Sequence, residues 1–269
     1  MELGIIGKRA LVLGGNRGIG LGIARALVAE GASVVITGRD ATRLGEAVDE
    51  LRAIAFERGG NSQQRVEGRT VDLARVSTLP AFAAEIVETF GDIDILVNNT
   101  GGPGYGGASG RSASDWNDSF QEMVLSVITV TDAFLPAMRK RGWGRVMTVV
   151  SSGVVQPIPI LGISNALRNA LVTWSKTLSQ EVAREGVTVN VLVPGRIDTE
   201  RVRLTDAAVA GKERITVEEA QARSTATIPM GRYGTTAEFG ALAAFVASEP
   251  ASYITGSLMR CDGGNIRSV

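Results

Sequence analysis

A chain of 269 residues with 44% apolar content, and with 28 basic side chains balanced by 28 acidic ones, has the make-up of one large domain built around a sizeable core. That balance excludes the basic surface of a nucleic-acid binder, and no segment stays apolar long enough to span a bilayer. Cys261 is the single cysteine, which excludes an intramolecular disulfide, and the absence of histidine removes the commonest general base and the commonest zinc ligand, so any acid or base must be Tyr, Asp, Glu, Lys or water.

In chain order, β-rich apolar runs alternate with amphipathic helical stretches. The stretch MELGIIGKRALVLGG has no charged leader followed by a long apolar run, so the cytoplasm is the expected compartment. RALVL, SVVIT, IDILV, RVMTVV and TVNVLV read as strands, with IARALVAEG and LPAFAAEIVETFG among the helices between them. This alternation predicts an α/β fold, a parallel sheet with helices on both faces. No repeat or Pro/Gly/Ser linker divides the chain, so residues 1–269 are expected to form a single domain. The polar, alanine-rich segment from about 200 to 230 follows the last interior strand. Two readings of it stay open, a helical lid over a pocket and an ordinary surface excursion.

The glycines after RALVL have a physical role. Gly14, Gly18 and Gly20 allow a tight turn, close backbone approach to a pyrophosphate and close packing of the next helix, with Asn16, Arg17 and Ile19 between them. At the end of the second strand a carboxylate would bind the adenosine ribose hydroxyls of NAD, but this chain has Gly38 and Arg39 there. Arg39 and Arg17 carry the charge and planar donor fork suited to a 2′-phosphate, so NADP(H) is expected over NAD(H).

These motifs, in this order, resemble the short-chain dehydrogenase/reductase family over nearly the whole chain, in its ketoacyl-carrier-protein-reductase-like branch. LGGNRGIG is similar to the family's TGxxxGxG, with Leu13 where threonine is usual. VDLA supplies Asp72 and Leu73 at the family's adenine contact, and NNTG supplies Asn98, Thr100 and Gly101 beside the cofactor. LVPGRIDT supplies Pro194, Gly195, Ile197 and Thr199 where the family holds the nicotinamide carboxamide, and ASYITGSLMRCDGG resembles its seventh strand. The resemblance implies a Rossmann-type doubly wound sheet of seven strands, a small carbonyl or alcohol substrate, and a homo-oligomer, dimer or tetramer.

The resemblance breaks at the catalytic positions. Ser151 stands at the family serine, but Ser164 occupies the tyrosine position thirteen residues later, and Arg168 replaces the lysine four further on. Met123 stands where the family has an asparagine. A serine hydroxyl is a far poorer acid than a phenol of pKa about 10, and losing a positioned general acid costs on the order of a hundred- to ten-thousandfold in rate. Arg168 lies one helical turn after Ser164; it could bind the nicotinamide ribose and supply fixed charge, but it cannot shuttle protons as lysine does.

Among the other tyrosines, Tyr105 in the glycine-rich NNTGGPGYGG loop is a secondary candidate for the acid, while Tyr233 and Tyr253 are expected to be packing residues. The apolar PIPILG segment suggests a rigid pocket wall. Three functions follow: an NADP(H)-dependent oxidoreductase with an altered site, a noncatalytic NADP(H)-binding sensor or partner subunit in a mixed oligomer, and a non-redox lyase on the same scaffold.

Overall fold

The computed structural model describes residues 1–58 and 63–268. The strands are β1 (Arg9–Val12), β2 (Ser33–Gly38), β3 (Val66–Thr70), β4 (Ile95–Asn98), β5 (Gly144–Val149), β6 (Val187–Pro194) and β7 (Leu258–Cys261). All pair in parallel, in the order β3-β2-β1-β4-β5-β6-β7. The chain steps outward from β1 to β3 and returns beside β1 as β4, with Ala10 in register with both Val34 and Ile95. The crevice above this reversal, at the carboxyl ends of the strands, is where such sheets bind ligands.

The helices are α1 (Gly18–Ala29), α2 (Ala41–Glu57), α3 (Leu79–Thr89), α4 (Ala113–Phe120), α5 (Ser126–Arg141), α6 (Gly162–Val182), α7 (Glu200–Glu213), α8 (Val217–Thr225) and α9 (Thr236–Val246). Both sheet faces are buried, and successive β1 residues serve opposite sides. Ala10 and Val12 join Ile23 and Leu27 of α1, Leu44 and Val48 of α2, and Phe239 and Ala243 of α9. Leu11 and the following Leu13 join Phe82 and Ile86 of α3, Phe134 and Met138 of α5, and Leu178 and Val182 of α6. The helix pair α7–α8 is different. Only Asp206, Ala210 and Ala220 of it are buried, which matches its polar composition.

Five strands follow the apolar runs of the sequence and the seventh follows its C-terminal turn motif. β3 does not announce itself, because VEGRT has one apolar residue and sits at the sheet edge, where polar side chains are tolerated. Between α4 and α5 the helix widens into a π-helical turn at Gln121–Leu125. Among the described residues, no helix is long and apolar enough to cross a membrane.

Candidate active site

The glycine-rich turn is built by close backbone approach. Gly14 and Gly18 adopt φ of +57° and +53°, conformations that favour glycine. A Cβ on Gly20 would lie 2.2 Å from the Gly14 carbonyl oxygen, so an alanine there would open the turn. The Gly14 N–H donates to Thr37 Oγ1 at 3.1 Å and that of Gly15 to the Thr37 carbonyl at 2.9 Å, fixing the turn against β2. Asn99 completes the cradle, its side-chain amide donating to the carbonyls of Leu13 at 3.2 Å and Gly14 at 3.1 Å. Asn98, named with the cofactor contacts from sequence, is buried in β4 and donates instead to Thr131 of α5 at 3.0 Å. The residues present fit a dinucleotide: the side-chain-free glycines let a pyrophosphate approach the backbone, and the N-terminus of α1, which begins at Gly18, is an anion-binding end.

At the end of β2 stand three guanidinium groups, one more than the sequence motifs identified. Arg17 and Arg43 converge on a single oxygen of Glu200, at 3.2 Å and 3.1 Å. Their hydrogen bonds, Arg43 first, hold the Glu200 carboxyl below its usual pKa. Arg39 does not join Arg17 but turns toward Glu122, at 3.9 Å. Asp40 follows Arg39, but its carboxylate caps α2, accepting from the amides of Thr42 and Arg43. Asp72, at the end of the edge strand, accepts from the Ala74 amide and pairs with Arg75 at 3.7 Å, with Leu73 partly buried beside it.

The chemical end lies between the ends of β4, β5 and α6. Ser151 follows β5 and its Oγ accepts from the Gly153 N–H at 3.1 Å, which leaves its own hydroxyl proton free to donate. Ser164 is buried in the first turn of α6, and its hydroxyl makes no hydrogen bond among the described residues. Arg168, one turn on, is a buried cation with no carboxylate within ion-pair distance among the described residues. It donates to the carbonyls of Val149 at 3.0 Å, Gly101 at 2.8 Å and Thr100 at 3.4 Å, clamping the ends of β4 and β5 together. Burial, and after it the charge of Arg201, pull its pKa down to about 10, so it stays protonated at neutral pH. Met123 lies in the π-helical turn, packed in one apolar cluster with Val150, Ile163 and Leu167 under the site.

The segment after β6 leads from the sheet into α7. The Gly195 amide donates to the Cys261 carbonyl at 2.9 Å, tying the end of β6, Pro194, to β7. Ile197 is buried, and Thr199 caps α7 by accepting from the Val202 amide. Tyr105 bonds Thr205 of α7 through its hydroxyl and is half exposed, so its phenol is a latch between the glycine loop and the helix pair in this conformation. Tyr233 is buried and donates to Asp206 at 2.8 Å, as a packing residue would, whereas Tyr253 is fully exposed and packs against nothing. PIPILG is also more exposed than a pocket wall, with Ile160 at the surface.

Comparison with known proteins agrees with this geometry. A family model described as enoyl-(acyl carrier protein) reductase matches residues 14–265. A putative ketoacyl reductase of Streptomyces coelicolor is 34% identical over 258 residues, 95% of each chain, and the 3-oxoacyl-[acyl-carrier-protein] reductase FabG of Salmonella typhimurium is 35% identical over 261 residues, 96% of this chain and 97% of that one. Among solved structures, L-sorbose reductase from Gluconobacter frateurii, complexed with NADPH and L-sorbose, superposes with a TM-score of 0.92 at 30% identity over the whole of both chains. The chain belongs to the short-chain dehydrogenase/reductase family, in its ketoacyl-reductase-like branch.

Proposed function

We propose that the protein is an NADP(H)-dependent oxidoreductase acting on a small carbonyl or alcohol, working as a homo-oligomer with α7 and α8 as the lid of a single domain. The observation that carries this reading is the intact cradle: a glycine turn held by Thr37 and Asn99, with guanidinium groups gathered where an adenosine 2′-phosphate would lie. NADP(H), when bound, supplies or accepts the hydride. Ser151 binds the substrate oxygen, its free hydroxyl hydrogen-bonding to it without giving up the proton. Ser164, or a water it holds, completes proton transfer, with Tyr105 as a second candidate donor should the latch to Thr205 open. Arg168 supplies fixed positive charge to the oxygen as it becomes anionic, and orients the nicotinamide ribose. Fluorescence titration tests the cofactor half: micromolar binding of NADPH with much weaker binding of NADH is expected, and equal affinities would overturn the preference.

A second reading, a noncatalytic NADP(H)-binding protein, draws support from Arg168, which acts here as a structural clamp, and from the missing phenol at position 164. The pair Ser164→Tyr with Arg168→Lys separates the two. If the protein as it stands is a working reductase, NADPH-dependent turnover across a carbonyl panel is measurable before the change. Turnover that emerges only in the double variant favours the noncatalytic role.

A further inference from the structure

Glu200 begins α7, directly after the capping Thr199, and both lie over the nucleotide cradle; a Cβ on Gly18 would stand 3.5 Å from Thr199 Cγ2. Its Oε2 is shared as an acceptor by Arg17, in the glycine turn after β1, and Arg43, in the first turn of α2. Asp40 lies 3.7 Å from Arg43 and Glu122 lies 3.9 Å from Arg39, so each guanidinium of the cluster already faces a carboxylate. All three members of the shared contact are about half exposed or more, at 62%, 47% and 50% for Arg17, Arg43 and Glu200. Such contacts are weak and screened, and a better acceptor displaces them. A phosphate monoester is that acceptor, because it carries more charge and three oxygens against the one that Glu200 offers here.

We propose that Glu200 is a built-in competitor for the adenosine 2′-phosphate, occupying Arg17 and Arg43 in the free protein and releasing the first turn of α7 when a 2′-phosphate takes its place. Arg43 then becomes a specificity-determining residue beside Arg17. The cofactor's phosphate is coupled to the helix pair over the substrate cleft, and a cofactor without the phosphate leaves Glu200 where it is. The inference rests on the NADP(H) reading above, and its test separates the two.

Calorimetry with adenosine 2′,5′-bisphosphate and 5′-AMP as probes, on the full chain, reads the competition without turnover. Glu200→Gln keeps the side-chain shape and the Thr199 cap but removes the charge. It should bind the 2′,5′-bisphosphate about two- to fivefold more tightly, the range expected for losing exposed ion pairs, with 5′-AMP nearly unchanged. Arg43→Ala should weaken the bisphosphate about tenfold and leave 5′-AMP alone. Hydrogen exchange supplies an independent readout: bisphosphate should raise exchange in the first turn of α7 in the unaltered protein, and exchange there should already be raised in Glu200→Gln. If Glu200→Gln binds the bisphosphate no better, or tightens both nucleotides by the same factor, the competitor role is overturned while the NADP(H) reading stands. If neither protein prefers the bisphosphate to 5′-AMP, the NADP(H) reading fails and the competitor role fails with it.

Discussion

Arg168 has a mechanical role in the fold that stands apart from any charge it lends the site. A buried guanidinium without a carboxylate is costly, and it is tolerated when its N–H groups meet acceptors. Here three carbonyls from two strand ends meet it, and a planar fork with five donors reaches all three at once. An ammonium on a thinner, single-point head cannot span Val149 and Gly101 together. Arg168→Lys alone should therefore destabilise the fold by roughly 1–3 kcal/mol, the penalty for leaving a buried carbonyl without its donor. Urea unfolding would read this as a lower midpoint with an unchanged slope. A midpoint equal to that of the unaltered protein would mean that the clamp holds nothing, and that Arg168 is present for its charge alone.

At the scale of elements, the cofactor cradle depends on how closely α1 lies against α9. A Cβ on Gly22 would stand 2.5 Å from the Thr236 carbonyl oxygen, and one on Gly240 would stand 2.4 Å from that of Gly22, so the two helix backbones touch through glycine. Gly22→Ala forces them apart, and overpacking of this kind costs about 1–3 kcal/mol. Because α1 also carries the phosphate-facing turn, NADPH affinity should fall with stability. A variant with a lowered melting temperature and unchanged affinity would show that the turn is positioned by Thr37 and Asn99 alone.

Legibility in the sequence divides along the same line. Strands β1, β2, β4, β5 and β6 were readable because both sheet faces are buried and their runs are apolar, and the glycine turn because only glycine meets its geometry. What a local pattern cannot carry is contact across distance. Asn99 reaching back to Leu13, and Glu200 arriving 183 residues beyond Arg17 to meet both it and Arg43, are products of the topology. The glycine neighbours of Tyr105 mark a loop that can place its phenol, but no spacing could show that Thr205 would stand across from it.

At the scale of the whole molecule, β7 leaves one edge of the sheet without a strand partner among the described residues. The interior strand β6 beside it is buried at every position, whereas β7 has none buried: Leu258 is 38% exposed and Met259 and Cys261 are only partly covered. Exposed edges of this kind invite pairing with another chain unless charge or a bulge prevents it, and the strand LMRC offers Arg260 as its one charged residue. Fully exposed Tyr253 lies on the turn leading into the same strand. These features favour burial of the β7 edge against a second copy, which also fits the oligomeric expectation from the family resemblance. Sedimentation at micromolar concentration should find a dimer or tetramer, and Leu258→Lys, which places a charge on the apolar part of that edge, should shift the population toward monomer without changing the helical signal in circular dichroism. A protein already monomeric at that concentration would show that this edge is tolerated open, and an oligomer indifferent to Leu258→Lys would move the contact to another face.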